Sequence, residues 1–219
     1  MRRVASVAVA IVLVAAVVAV LLVTLGGSDD DSPPAPPAGS GDTTAAPPLS
    51  TPLADVDTST LTVQRAGFCD LLAPESIEAV LGGAPKDVRT YGNGESTVIT
   101  SDITDIAHEY GCRWKRGSTA ARAWVFAPPV TPDDATRLVT AARRSDGCDV
   151  RRGAAAFGSP SVARTCPVGK GFEASYRGLF GDAWLACSFT APGDDRRKAL
   201  DLAGAWCAAV AQAAAQPPA

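Results

Sequence analysis

The chain has 219 residues, with 20 Lys and Arg against 23 Asp and Glu, six Cys and one His. That near balance excludes the basic excess of a dedicated nucleic-acid binder. The single His excludes a His-rich metal site, and the length suits one domain of ordinary size behind an atypical N-terminus.

Val4 to Leu25 is a run of 22 residues without a charge or a proline. As a helix it reaches about 33 Å, enough to cross a hydrocarbon core. Arg2 and Arg3 precede it and Asp29, Asp30 and Asp31 follow, which predicts a cytoplasmic N-terminus with the bulk of the chain outside. A cleavable signal peptide is the rival reading. Its apolar stretch is usually shorter, about 7–15 residues, and ends in a small-x-small site that Thr24 to Ser28 do not offer. The expectation is therefore an uncleaved signal anchor over 4–25, with residues 1–3 as a cytoplasmic tip in a single-pass plasma-membrane protein.

From 26 to 62 the composition turns to Pro, Ser, Thr, Ala, Gly and Asp, including Pro33-Pro34-Ala35-Pro36-Pro37. Such a segment buries too little apolar surface to offset its ordering entropy, so a disordered stalk is expected. The head, 63–216, is left with 18 basic and 17 acidic residues.

Three helices are predicted in the head. Pro74 and Glu75 open the first and Gly82-Gly83 stop it, with Ile77, Val80 and Leu81 on one face. Thr131-Pro132-Asp133-Asp134 starts the second, whose stripe is Ala135, Leu138, Val139 and Ala142 and whose end carries Arg143 and Arg144. The third runs from about Asp194 to Ala213, with Leu200, Ala203, Cys207 and Val210 in line and Trp206 beside them. Between the helices lie strand-like runs at 88–91, 96–100, 112–115, 121–127, 162–166, 172–177 and 182–190. Gly92-Asn93-Gly94 and Gly178-Leu179-Phe180-Gly181 read as turns joining neighbouring strands. Helices separated by groups of short strands predict an α+β fold, a largely antiparallel sheet covered by about three helices.

Six Cys outside the cytoplasm, with no C-x-x-C, read as three disulfides rather than a zinc or redox motif. Alternation along 182–190 puts Ala183, Leu185, Cys187 and Phe189 on one face, and Cys207 lies in the apolar stripe of the last helix. Both sulfurs then meet in one helix–sheet interface, which favours Cys187–Cys207. Cys148 follows the second helix and Cys166 ends a nearby strand, favouring Cys148–Cys166. Cys69–Cys112 remains.

Asp102, Asp105, His108 and Glu109 form the densest polar constellation. Carboxylates plus one imidazole are a donor set for a divalent ion, and His108 is the lone candidate general base. Ile103, Ile106 and Ala107 argue instead for a short amphipathic turn with a wet polar side. That reading is preferred, so no catalytic residue, metal site or cofactor is assigned. Arg143, Arg144, Arg151 and Arg152 bracket Cys148, and a bridge there would gather them for contact with anionic lipid headgroups or acidic wall polymer. Trp114, Trp124, Trp184 and Trp206 all fall in predicted elements, where Trp is usually packing rather than a sugar or lipid platform. Gly169-Lys170-Gly171 lacks the spacing of a phosphate loop.

Phe68-Cys69-Asp70-Leu71-Leu72-Ala73-Pro74-Glu75, Leu81-Gly82 and Gly111-Cys112-Arg113-Trp114 resemble the actinobacterial LpqN-like cell-envelope proteins. The resemblance covers the head, roughly Phe68 to Ala213. It implies a helix-covered antiparallel sandwich with a binding or adaptor role at the envelope, and it carries over no catalytic residue. The expected function is a non-enzymatic, membrane-anchored, extracytoplasmic binding or interaction domain, with an envelope protein, lipid or wall component as partner. The alternatives are a lipid or small-ligand carrier with a pocket between sheet and helices, and a metal-dependent envelope enzyme built on the Asp102/Asp105/His108/Glu109 cluster.

Overall fold

Each helix begins where local chemistry removes or satisfies an unpartnered amide group of its first turn. In the computed structural model, which describes residues 51–100 and 103–216, α1 spans Pro74–Leu81, with Pro74 in the first turn and Gly82 closing it at φ 72°,. The second helix, α2, spans Pro132–Arg143, and the Thr131 hydroxyl accepts from the Asp134 amide at 3.1 Å,. The long α3, Arg196–Ala214, is capped by the Asp195 carboxylate, which accepts from the Lys198 amide at 2.9 Å.

The strands are β1 (Asp87–Tyr91), β2 (Ser96–Thr100), β3 (Ile103–Ile106), β4 (Glu109–Arg116), β5 (Thr119–Phe126), β6 (Asp149–Val150), β7 (Ser161–Val168), β8 (Gly171–Phe180) and β9 (Ala183–Pro192). Seven of them form one sheet in the order β1-β4-β5-β9-β8-β7-β6, antiparallel at every pairing, and β2 and β3 form a separate hairpin. The head is thus α+β, a largely antiparallel sheet with three helices.

Alternation sorts the two faces of the sheet. Ala121, Ala123 and Val125 of β5 and Leu185, Cys187 and Phe189 of β9 are buried on the face that α1 and α3 cover. Trp206 of α3 sits at the centre of that layer, fully buried, edge-on to Trp114 with ring centroids 5.4 Å apart. Its indole N–H donates to the Arg122 carbonyl at 2.9 Å, so no polar atom is stranded,. On the opposite face α2 covers one end only, packing Ala135, Val139 and Ala142 against Val162, Leu179 and Trp184. The rest of that face, over β1, β4, β5 and β9, lies beyond the apolar cluster under α2.

Three disulfides cross-link these layers: Cys69–Cys112, Cys148–Cys166 and Cys187–Cys207. The last joins the central strand β9 to α3, with both residues fully buried. The first ties the turn before α1 to β4, and the second ties the loop after α2 to β7. Three such bonds are the mark of an oxidising, extracytoplasmic setting.

The structure departs from the sequence reading in four places. Residues 53–62, read by composition as stalk, belong to the folded head: Leu53 and Thr58 are buried, and Val56 and Leu61 pack against the core. The Thr58 hydroxyl accepts from the Gly158 amide at 3.2 Å and donates to the Ala156 carbonyl at 3.3 Å. The stretch 178–180 is strand, not turn, and β8 reverses into β9 through Gly181-Asp182, with Gly181 at φ 63°. Gly92-Asn93-Gly94 does form a turn, but β1 pairs with β4 and not with β2. Finally, Ile103–Ile106 is a strand paired with β2 rather than an amphipathic turn. The apolar run 4–25 and the Pro-rich segment up to residue 50 lie outside the described residues. Among the described residues no helix is long and apolar enough to cross a membrane.

Candidate anion site

The arginines after α2 are brought together around a cleft. Its floor is the start of β7, at Ser161, Val162 and Ala163, and one wall is the last turn of α2 with Arg143. The other wall is the 150–155 loop, which contributes Arg151 and Arg152. The volume is about 500 Å³. Two features fix the loop: the Cys148–Cys166 disulfide at its base, and the Arg151 amide donating to the Ala163 carbonyl at 2.9 Å. Among the described residues no carboxylate lies within ion-pair distance of Arg143, Arg151 or Arg152. Arg144 follows α2 but does not line the cleft. The guanidinium of Arg164 occupies the end of α2 instead, donating to the Ala142 carbonyl at 3.3 Å and the Ser145 hydroxyl at 2.6 Å. That contact satisfies the helix end and leaves Arg143 available to the cleft. A compact anion entering here would meet three planar donors on a floor of small side chains.

The acidic constellation is distributed differently. Asp102 lies outside the described residues. Asp105, on β3, accepts from the neighbouring Ile106 amide at 2.7 Å, and its side chain is exposed. His108 is exposed in the connection to β4, where its carbonyl accepts from the Ala127 amide at 2.9 Å. Glu109 is half-buried and accepts from the Tyr91 hydroxyl at 2.5 Å. Among the described residues no three His, Cys, Asp or Glu side chains are grouped to hold a metal ion.

Burial pushes the Glu109 carboxyl above its ordinary value of 4.5, against the opposing pull of the Tyr91 hydrogen bond, and burial pushes Tyr91 upward as well. A carboxyl whose folded pKa is raised binds its proton more tightly in the folded state. Its contribution to stability therefore falls as pH rises from that ordinary value through the raised one. Glu109→Gln, which keeps an acceptor for Tyr91, is expected to remove this slope. Chemical denaturation across the carboxylate range should show wild type losing stability relative to the variant as pH rises. Parallel profiles would refute the assignment.

Three of the four tryptophans are structural: Trp206 on α3 against Trp114 of β4, and Trp184 under α2. Trp124 is the exception, half-exposed on the open face with the Arg177 guanidinium 5.7 Å from its ring centroid. Gly169-Lys170 is the two-residue turn of the β7–β8 hairpin, where the Lys170 carbonyl accepts from the Gly193 amide at 3.1 Å. Between sheet and α3 the space is filled by Trp206, Phe189, Leu185 and Val210, all buried. Of the four arginines bracketing Cys148, Arg143, Arg151 and Arg152 line the cleft and Arg144 does not, and the sequence reading singles out neither Arg122 nor Arg177 of the open face. The alternation Ala121-Arg122-Ala123-Trp124-Val125 was the available signal for that face.

Compared with protein-family models and with curated proteins, the chain matches none.

Proposed function

We propose that this chain is a non-enzymatic binding domain of the bacterial cell envelope, anchored by the 4–25 helix and taking the headgroup of an anionic lipid in the Arg143/Arg151/Arg152 cleft. The observation that carries the reading is the convergence of three arginines, unpaired among the described residues, on a preformed cleft braced by a disulfide. Its size suits a compact phosphate-bearing group rather than a long polymer. A signal anchor would hold the head on the outer side of the plasma membrane, where such headgroups are presented and where disulfides persist. The resemblance to LpqN-like proteins agrees with an envelope adaptor. The residues that carry it, Phe68, the Cys69–Cys112 pair and Trp114, are core and cross-link here, so the likeness speaks to the scaffold and not to the cleft.

The test is calorimetric titration of the full chain in a zwitterionic detergent with dihexanoyl phosphatidylglycerol, and with dihexanoyl phosphatidylcholine as control. Saturable binding of the anionic lipid is expected, weakened about tenfold or more in R143E/R152E, since each lost charge-assisted contact is worth about 1.5–3 kcal/mol. Equal response to both lipids, or an unaffected double variant, would overturn the reading.

A further inference from the structure

Strand register lines up a second set of cations that adjacency in sequence does not reveal. Arg89 of β1 stands directly opposite Arg113 of β4, which stands opposite Arg122 of β5. The same rung continues through Ser188 of β9 and Ser175 of β8 to Arg164 of β7. On the next rung Trp124 and Arg177 flank Ala186. With strands about 4.8 Å apart, the Arg89–Arg113–Arg122 part of the rung spans about 10 Å, beyond which Ser188 and Ser175 are buried,.

Like charges directly opposite each other destabilise a sheet, and here two such pairs follow in succession. One carboxylate, Asp87, serves both Arg113, at 2.5 Å, and Arg89, at 3.6 Å. Among the described residues Arg122 and Arg177 have no carboxylate within ion-pair distance. Hydrogen bonding is unbalanced in the same direction. Arg113, Arg164 and Arg177 each hold a buried Nε–H without an acceptor, and the Ser175 hydroxyl, in a residue 1% exposed, also has no partner. The face carries carboxylates of its own, Glu109 accepting from the Tyr91 hydroxyl and Glu173 from the Ser188 hydroxyl at 3.4 Å, yet neither lies within ion-pair distance of Arg122 or Arg177.

We propose that this open face binds an acidic polysaccharide laid across the strands, its carboxylates meeting the Arg89–Arg113–Arg122 rung and a sugar ring seated on Trp124. Two observations select that occupant. The cations form a line rather than a uniform field. The half-exposed Trp124 offers an aromatic platform to a sugar ring and nothing to a bare polyphosphate.

The test uses the full chain in non-ionic detergent, titrated with polygalacturonate at low and moderate salt, with dextran and polyphosphate as controls. Saturable, salt-weakened binding of polygalacturonate is expected, reduced about tenfold by R122E and by W124A. R143E/R152E should leave it unchanged, which separates this face from the lipid cleft. Arg122 is exposed, so R122E should retain the wild-type melting temperature. Three results would overturn the proposal: no saturable binding, polyphosphate binding as well as polygalacturonate with W124A indifferent, or an equal loss in R143E/R152E.

Discussion

Full reduction of the head is expected to unfold it. The Cys187–Cys207 bridge closes a separation of 20 residues, Cys148–Cys166 one of 18 and Cys69–Cys112 one of 43. Chain-entropy arguments assign each about 3–4 kcal/mol. Losing all three removes on the order of 10 kcal/mol, comparable to the entire stability of an ordinary domain. Cys187–Cys207 is the most consequential of the three because its loss also leaves two thiol groups inside the fully buried sheet–α3 interface. Thermal melts followed by circular dichroism, with and without strong reductant, test this directly. C187A/C207A alone should fall well below wild type in the absence of reductant. A melting temperature unchanged by reduction would refute the argument.

The second large effect is expected at Trp206. Its side chain fills the centre of the main core, meets Trp114 edge-on and satisfies the Arg122 carbonyl. Trp206→Ala removes the aromatic contact and the hydrogen bond and opens a cavity flanked by the central strands. A loss of about 4 kcal/mol is expected. Trp206→Phe keeps most of the volume and forfeits the indole donor, so a smaller loss of about 1–2 kcal/mol is expected. Urea titrations of both variants check the order. Equal midpoints for the two would show that packing at this position contributes little.

The features legible in the sequence were those written in local chemistry. Pro74 and Thr131 sit where helix starts require them, and the period-2 alternation of 182–190 aligned Cys187 with the stripe of α3 that carries Cys207. The illegible features depend on approach between distant segments. Gly178 reads as a turn residue, yet it is glycine because a Cβ there would lie 1.6 Å from the Phe157 carbonyl oxygen. Leu53, Val56 and Leu61 are too widely spaced among polar residues to signal packing, and only the groove beside α3 gives them a surface to cover. The same distinction separates the two sets of arginines. The cleft arginines lie within ten residues of one another and beside a cysteine, so their gathering could be read. The Arg89–Arg113–Arg122 rung exists only because β1 pairs with β4 in one particular register.

The two margins of the large sheet bear on how copies of this protein behave when crowded at one surface. One margin, β6, is only two residues long, and the other, β1, carries Asp87 and Arg89 among its five residues. Short and charged margins are poor templates for a further strand. At high lateral density these two margins therefore give neighbouring copies little means to zip into ribbons through the large sheet.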